Sequence, residues 1–124
     1  MQRTFKKTAV IGAGAWGTAL AYTAGQSGCE VVLWTYLERE ADAIRETRKS
    51  LVAPMGANLL PENVKVTSKW EDVAGADLVL VVVPSVVMRS VAQSLAEVGL
   101  ADDAVVMTCS KGIEKDTNLL MSEI

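Results

Sequence analysis

Glycine spacing near the N-terminus carries the clearest chemistry in this sequence. A short apolar run leads into Gly12, Gly14 and Gly17, which have the spacing G-x-G-x-x-G. In such a turn the first glycine permits a tight bend, the second lets the backbone approach a pyrophosphate, and the third lets a helix pack close to the sheet. The start of that helix offers free N–H groups and a positive dipole end to an anion. The motif predicts a dinucleotide site, and the alternative is a glycine-rich turn without a ligand.

A second group of polar residues follows the predicted second strand, where an Asp, Glu or Arg usually meets the adenosine ribose of a dinucleotide. Here Thr35 and Tyr36 stand in that place. Tyr36 could stack on adenine, and the Thr35 hydroxyl could bond a ribose hydroxyl or a phosphate. Glu38 could reach the ribose, or could be a favourable charge in the first turn of the next helix. With Arg39 as the one cation close in sequence, we expect use of both NADH and NADPH, with NADH modestly preferred.

Residues after the fourth and fifth predicted strands should face the same crevice. The ammonium of Lys111 could meet a phosphate or carbonyl oxygen, or could be a solvated surface charge. The sequence has no histidine, so neither Ser85 nor Ser110 has a visible base partner for nucleophilic catalysis. Ser85 is instead predicted to cap the following helix. Cys109 is predicted to be a small core residue and not a reactive thiol.

The elements that must position these residues alternate short β-rich runs with helical segments, which indicates a βαβ pattern. Strands are predicted at 7–12, 30–35, 64–67, 78–83 and 104–108, the last two as buried strands, and helices at 15–27, 38–48 and 85–98. Gly28 should end the first helix, residues 49–63 should form a loop, Ser68 has capping-box spacing with Glu71, and 117–124 should begin a helix. The pattern predicts an α/β fold of the Rossmann type, with a doubly wound, mainly parallel sheet and helices on both faces. With five strands where six are usual, residues 1–124 are expected to be a dinucleotide-binding domain that is incomplete at the C-terminus.

Composition limits the classes of partner. The chain has 124 residues, half of them hydrophobic, and a formal net charge of −3, which argues against nucleic acid or an anionic membrane surface. The apolar run 78–83 is too short to span a bilayer. Two cysteines and no secretory N-terminal pattern favour a reduced, cytoplasmic setting, and no metal-ligand spacing is visible.

Several segments together resemble one enzyme family, and the similarity covers essentially the whole chain. In order they are VIGAGAWGTALA at 10–21, VLW at 32–34, LP at 60–61, VVVPS at 81–85, KGIE at 111–114 and LMSE at 120–123. They are similar to the NAD(P)-dependent glycerol-3-phosphate dehydrogenases. That family reduces dihydroxyacetone phosphate to sn-glycerol 3-phosphate for phospholipid synthesis, passing hydride from nicotinamide to the carbonyl carbon.

The resemblance implies roles for individual residues. Ala15 and Trp16 would lie against the pyrophosphate, Tyr36 would be on the adenosine side, and Pro84 and Val87 would be near the cofactor, together with Gly12, Gly14 and Gly17. Lys111 matches a lysine that touches both cofactor and substrate. The family's principal catalytic lysine belongs to a later helical domain that this chain does not contain, so no catalytic residue is expected here and the fragment alone should be inactive. The loop at 51–56 departs from the family pattern, which puts a cofactor contact from that loop in doubt.

Three interpretations stay open on the sequence. The first is the cofactor-binding part of a glycerol-3-phosphate dehydrogenase, with NAD or NADP as cofactor and a homodimer of the full-length form as an option. The second is a related two-domain enzyme of the ketopantoate reductase or opine dehydrogenase type. The third is a non-catalytic nucleotide-binding module.

Overall fold

Five parallel strands form the sheet in a computed structural model of this protein, which describes residues 3–56 and 58–124. The strands are β1 (Lys7–Ile11), β2 (Glu30–Trp34), β3 (Val64–Thr67), β4 (Leu78–Val81) and β5 (Val105–Thr108). Their order is β3-β2-β1-β4-β5. The direction of winding therefore reverses between β1 and β4, and in open α/β sheets a ligand crevice forms at such a switch point.

Helices cover both faces of the sheet, because successive side chains of a buried parallel strand point to opposite sides. On one face, α1 (Ala15–Gln26) and α2 (Glu38–Thr47) pack through Ala21, Ala41 and Ile44. On the other face, α3 (Met88–Val98) and a 3₁₀ turn (Trp70–Val73) pack against alternate residues of β1, β2 and β4. The predicted α/β fold of the Rossmann type is confirmed, and this layering determines which side chains surround the crevice.

The first half of the chain follows the prediction closely. Helix α1 ends before Gly28, whose φ of +89° is readily adopted by glycine and strained for other residues. The loop prediction for 49–63 is confirmed for the described residues, while residue 57 lies outside them. Arg48 anchors this loop, because its guanidinium donates hydrogen bonds to the carbonyl oxygens of Pro61 and Val64. Within the ranges 3–56 and 58–124, no helix is long and apolar enough to cross a membrane.

The segment after β4 differs from the predicted helix at 85–98. Strand β4 ends at Val81, because the N–H of Val83 donates to the hydroxyl of Ser110, at 3.0 Å, and leaves the strand ladder. A 3₁₀ turn (Ser85–Val87) comes next, and α3 begins only at Met88. Ser85 is therefore not the cap of α3: Val87 occupies that position, without a side-chain hydrogen bond in the described structure. Pro84 holds the chain extended at ψ 142°, which delays the helix.

The capping box predicted at Ser68 is also wrong, although a short helical turn does follow it. The Ser68 hydroxyl donates to the carboxylate of Glu38 on α2. The backbone N–H of Lys69 is instead accepted by the Thr67 hydroxyl, at 3.0 Å. The Ser68 side chain therefore bonds Glu38, which is distant in sequence, and not the start of the helical turn that follows it.

Strand β5 exists at the predicted place, but it is not buried. Val106 and Met107 are 50% and 52% exposed. The strand lies at the edge of the sheet and pairs only with β4. An apolar run alone does not distinguish a central strand from an edge strand, which explains this error.

The predicted helix at 117–124 is wrong for most of its length. Asp116 and Asn118 have φ values of 75° and 60°, which reverse the chain and bring Ile113 against Leu120 in an antiparallel bridge. Only a 3₁₀ turn (Met121–Glu123) follows. The short polar side chains of Asp and Asn tolerate this left-handed conformation better than most residues.

Candidate functional site

The glycine turn links β1 to α1, and its three glycines differ in the atoms that a side chain at each position would meet. Gly12 has φ +118°, and a Cβ on it would overlap the carbonyl oxygen of Val82 on the neighbouring segment. A Cβ on Gly17 would overlap the carbonyl oxygen of Gly12 itself. Gly14 has an ordinary φ of −70°, and a Cβ on it would meet no described atom within 4 Å. Packing therefore explains why Gly12 and Gly17 must be glycines, but it does not explain the glycine at Gly14.

The start of α1 has the features that favour an anion. Gly14 is its N-cap, and the N–H and hydroxyl of Thr18 both donate to the Gly14 carbonyl oxygen, at 3.0 and 2.8 Å. The first turn contains no acidic residue. Its free N–H groups and the positive end of the helix dipole therefore have no carboxylate of their own to neutralise them. A bare Gly14 beside such a helix end is the cradle that a pyrophosphate requires.

A cavity of about 510 Å³ extends from this turn along the carboxyl ends of the strands. It lies between the segments that follow β1, β2 and β4 and the first turns of α3. Its lining residues are all uncharged: Gly12, Ala13, Gly14, Trp34, Thr35, Tyr36, Trp70, Val82, Val83, Pro84, Val87, Ser90, Val91 and Ser94. An apolar cavity of this size beside an anion site fits a ligand that is flat and neutral at one end and phosphorylated at the other.

Two stacked indoles form one wall of the cavity. Trp34 at the end of β2 lies against Trp70 of the 3₁₀ turn, with ring centroids 4.1 Å apart. Trp34 is 5% exposed, and its Nε1 has no hydrogen-bond partner among the described residues. Motif spacing does not assign either residue to this wall, because only the tertiary fold brings the 70–73 turn beside the end of β2.

The rim of the cavity carries exposed apolar side chains. Tyr36 is 81% exposed and Trp16, in the first turn of α1, is 60% exposed. Surface aromatics of this size are usually covered by a partner or a ligand when they cluster at one cleft. Tyr36 lines the cavity, whereas Trp16 and Ala15 flank the glycine turn outside it.

Lys111 is at the same edge of the sheet but outside the cavity. Its side chain is exposed, and no hydrogen bond or ion pair joins it to the described residues. The next residue, Gly112, has φ +134° and packs against Ser85, since a Cβ there would lie 2.9 Å from the Ser85 Cβ. Ser110 fastens the loop to β4 by accepting from Val83 and donating to the Val81 carbonyl oxygen. The hydroxyl of Ser110 thus has a structural role, which agrees with the absence of a base for nucleophilic catalysis.

Thr35 does not offer the free hydroxyl that the sequence analysis considered. It is 3% exposed, and its single hydroxyl proton is donated to Oε2 of Glu40, at 2.7 Å. Glu38 faces another part of the surface, where it accepts from the Ser68 hydroxyl and from Arg45. Those two contacts, the Ser68 bond first, lower the pKa of the Glu38 carboxyl. Of the two interpretations for Glu38, its geometry favours a first-turn helix charge.

Cys109 lies partly buried at the end of β5, packed against the α1 side of the core. Burial raises the pKa of its thiol. A thiol with a raised pKa stays protonated at neutral pH, so the arrangement favours a core residue over a nucleophile. Among the residues that the structure describes, no cluster of His, Cys, Asp or Glu has the make-up of a metal site.

The predicted site residues thus fall into two groups. Gly12, Gly14, Tyr36, Pro84 and Val87 line the cavity, whereas Ala15, Trp16, Gly17 and Lys111 are not among its lining residues. Trp34, at the end of β2, also lines the cavity, and Trp70 and the α3 residues Ser90, Val91 and Ser94 join the lining from segments that motif spacing did not indicate. A parallel sheet with a switch-point cavity and a glycine-rich turn at a helix start defines a Rossmann-type dinucleotide-binding domain.

Comparison with known proteins narrows this class. The chain belongs to the family described as "NAD-dependent glycerol-3-phosphate dehydrogenase N-terminus", whose sequence profile matches residues 7–124. It is 43% identical over 116 residues to a glycerol-3-phosphate dehydrogenase [NAD(P)+] of Rhodopseudomonas palustris (strain BisA53), covering 94% of this chain and 34% of that protein. The chain spans about a third of the length of the curated relatives it matches.

Solved structures of two related enzyme types share this fold. The crystal structure of glycerol-3-phosphate dehydrogenase from Coxiella burnetii superimposes with a TM-score of 0.84 at 27% identity, covering 95% of this chain and 36% of that one. A PanE/ApbA family ketopantoate reductase from Ralstonia eutropha JMP134 superimposes with a TM-score of 0.69 at 31% identity, covering 91% and 37%.

Proposed function

We propose that residues 1–124 form the cofactor-binding domain of an enzyme that interconverts dihydroxyacetone phosphate and sn-glycerol 3-phosphate with NAD(P)H. The observation that carries the proposal is the open backbone of Gly14 at the acid-free start of α1. Packing within the chain does not require a glycine there, but a bound pyrophosphate does. Family membership and the chemistry of this turn support the same cofactor class.

The cavity residues divide the cofactor between them in this proposal. Gly12, Gly14 and Gly17, beside Ala15 and Trp16, would hold the pyrophosphate through backbone N–H groups at the start of α1. Tyr36, Pro84 and Val87, which line the uncharged cavity, would hold the adenosine, with the Tyr36 ring available to stack on its base. The cofactor, when bound, supplies a hydride for the carbonyl carbon of the substrate. The chain would fix the orientation of the cofactor and would exclude water from the adenosine in the uncharged cavity.

Lys111 is the proposed substrate contact within this chain. It is exposed at the carboxyl edge of the sheet, on the loop held by Ser110 and Gly112. An ammonium in that place can stabilise negative charge on a carbonyl or phosphate oxygen. The proposal assigns no catalytic residue to this chain, and it assigns the principal catalytic lysine to a separate helical domain of the full-length enzyme.

The test of cofactor binding is a substitution at Gly14. Gly14→Val places a branched side chain where the pyrophosphate must approach, so we expect NADH affinity to fall at least a hundredfold, about 2.7 kcal/mol. Binding is measured by calorimetry or by the emission of Trp34 and Trp70, which line the cavity. Ala19→Val, at an exposed position of the same helix, is the matched control and should bind as wild type does. Equal affinity in Gly14→Val and wild type would overturn the assignment.

A second candidate is a related reductase of the ketopantoate type, favoured by the structural likeness to the Ralstonia enzyme. Both candidates use the same cofactor domain, so the substrate separates them. The full-length enzyme should reduce dihydroxyacetone phosphate and not ketopantoate. Faster turnover of a 2-keto acid would favour the second candidate.

The remaining parts of the proposal concern partners and location. With a net charge of −3, we infer a small-molecule enzyme that does not bind nucleic acid or membranes. We place it in the cytoplasm, where dinucleotide cofactors and phosphorylated substrates are available, and we propose a homodimer for the full-length form. Ultracentrifugation of that form tests the dimer.

A further inference from the structure

An acidic residue that does not come from the strand end lies behind Thr35 at the adenosine end of the cavity, outside the cavity lining. Glu40, on the first turn of α2, accepts the hydroxyl of Thr35 at 2.7 Å. Thr35 is 3% exposed and lines the cavity next to Tyr36. The carboxylate is therefore fixed directly behind the wall where β2 ends. In dinucleotide-binding sheets this is the region in which a carboxylate meets the adenosine ribose.

The two charged residues that precede Glu40, Glu38 and Arg39, are not bonded to the end of β2 as Glu40 is. Glu38 is turned to a separate surface groove, where Ser68 and Arg45 hold it. Arg39 is exposed, and no ion pair or hydrogen bond joins it to other described residues. A long exposed side chain loses rotamer freedom when it is ordered on a ligand, which weakens its pull on a phosphate. The anchored carboxylate of Glu40 has no such cost, because the buried Thr35 already orders it.

We propose that Glu40, positioned by Thr35, is the residue that makes this site prefer a cofactor with a free ribose 2′-hydroxyl over one with a 2′-phosphate. The inference rests on the proposed dinucleotide function and adds to it the residue that sets cofactor specificity. A carboxylate fixed this close to the end of β2 repels the dianionic 2′-phosphate of NADPH, and it does not repel a neutral 2′-hydroxyl. Two acids in the first turn of α2 also neutralise the helix end that could otherwise attract that phosphate.

The test is Glu40→Gln in the 124-residue chain, with dissociation constants for NADH and NADPH measured at one ionic strength. Glutamine keeps an oxygen that can accept from Thr35, so the fold should persist, and a thermal melt checks this. Glu46→Gln is the matched control, since it removes the same charge from an exposed position near the other end of α2. We expect Glu40→Gln to shift the affinity ratio towards NADPH by about tenfold, which is 1.4 kcal/mol.

A second variant tests the positioning role. Thr35→Val preserves the shape of the buried side chain but removes the hydroxyl that holds Glu40, so the ratio should move the same way by a smaller factor. A Glu40→Gln ratio within threefold of the Glu46→Gln ratio would overturn the inference while leaving the proposed function intact. Failure of the wild-type chain to bind either dinucleotide would overturn the proposed function, and this inference with it.

Discussion

At the scale of single residues, two glycines of one motif serve different physical needs. A Cβ on Gly17 would overlap the Gly12 carbonyl oxygen, whereas a Cβ on Gly14 meets open space at an ordinary φ. We predict that Gly17→Ala lowers the free energy of unfolding by about 3 kcal/mol, because backbone must move to relieve the overlap.

Gly14→Ala provides the comparison for that measurement. It should change the free energy of unfolding by less than about 1 kcal/mol, and it could raise it slightly by restricting the unfolded chain. Urea unfolding followed by tryptophan emission measures both variants. Equal loss of stability in the two would show that Gly14 is also required by packing, and would remove the observation on which the cofactor proposal depends.

At the scale of elements, one carboxylate fastens the start of β1 to the start of β4. Asp77 accepts the backbone N–H groups of Lys6 and Lys7, each at 2.9 Å. The hydrogen bond from Lys6, more than any other contact, lowers the pKa of the Asp77 carboxyl. We predict that Asp77→Asn lowers the free energy of unfolding at pH 7 by about 1 kcal/mol, since charge-assisted hydrogen bonds are lost.

The sign of the pH dependence follows from that lowered pKa. The folded state holds the Asp77 proton more weakly than the unfolded chain does, so the contribution is complete above the ordinary aspartate pKa, near pH 4. It is lost as the pH falls through the lower, folded pKa. Wild type and Asp77→Asn should therefore converge in stability as the pH falls below the folded pKa of Asp77, while Asp102→Asn, at an exposed turn, should match wild type throughout. A difference in the free energy of unfolding between wild type and Asp77→Asn that stays constant from pH 7 to pH 2 would contradict a stabilising role for the Asp77 carboxylate.

At the scale of the whole molecule, the chain carries a cofactor site but spans only about a third of its relatives' length. We predict that the 124-residue chain binds NADH without reducing dihydroxyacetone phosphate. In a full-length enzyme carrying this domain, Lys111→Met should lower turnover by about a hundredfold if the ammonium stabilises charge in the transition state. Steady-state kinetics measures this, with Lys115→Met as the exposed control on the same loop. Turnover and KM both near wild type would assign Lys111 to the solvated surface.

Much of the framework around the cavity could be predicted from the order of the amino acids. The glycine spacing, the apolar strand before it and the alternation of strands and helices depend on contacts close along the chain, and these located β1, α1 and the helix start beside the cavity. Gly12, Gly14 and Tyr36 could be predicted to lie at one crevice, and they do line the cavity, because parallel strands present their carboxyl ends to the same edge of a sheet. The family was recognisable for the same reason, since its motifs lie on those strand ends.

Features that depend on distant partners could not be predicted from local spacing and are seen only in the folded chain. The Trp34–Trp70 wall joins β2 to a turn far along the chain, and the Thr35–Glu40 bond removes a hydroxyl that looked available. Ser68 gives its hydroxyl to Glu38 and not to its own helix. The exposure of β5 reflects its place at the sheet edge. In each case the hydrogen bond or the burial of a side chain depends on residues that the fold brings close to it. Local sequence spacing does not predict which residues these are.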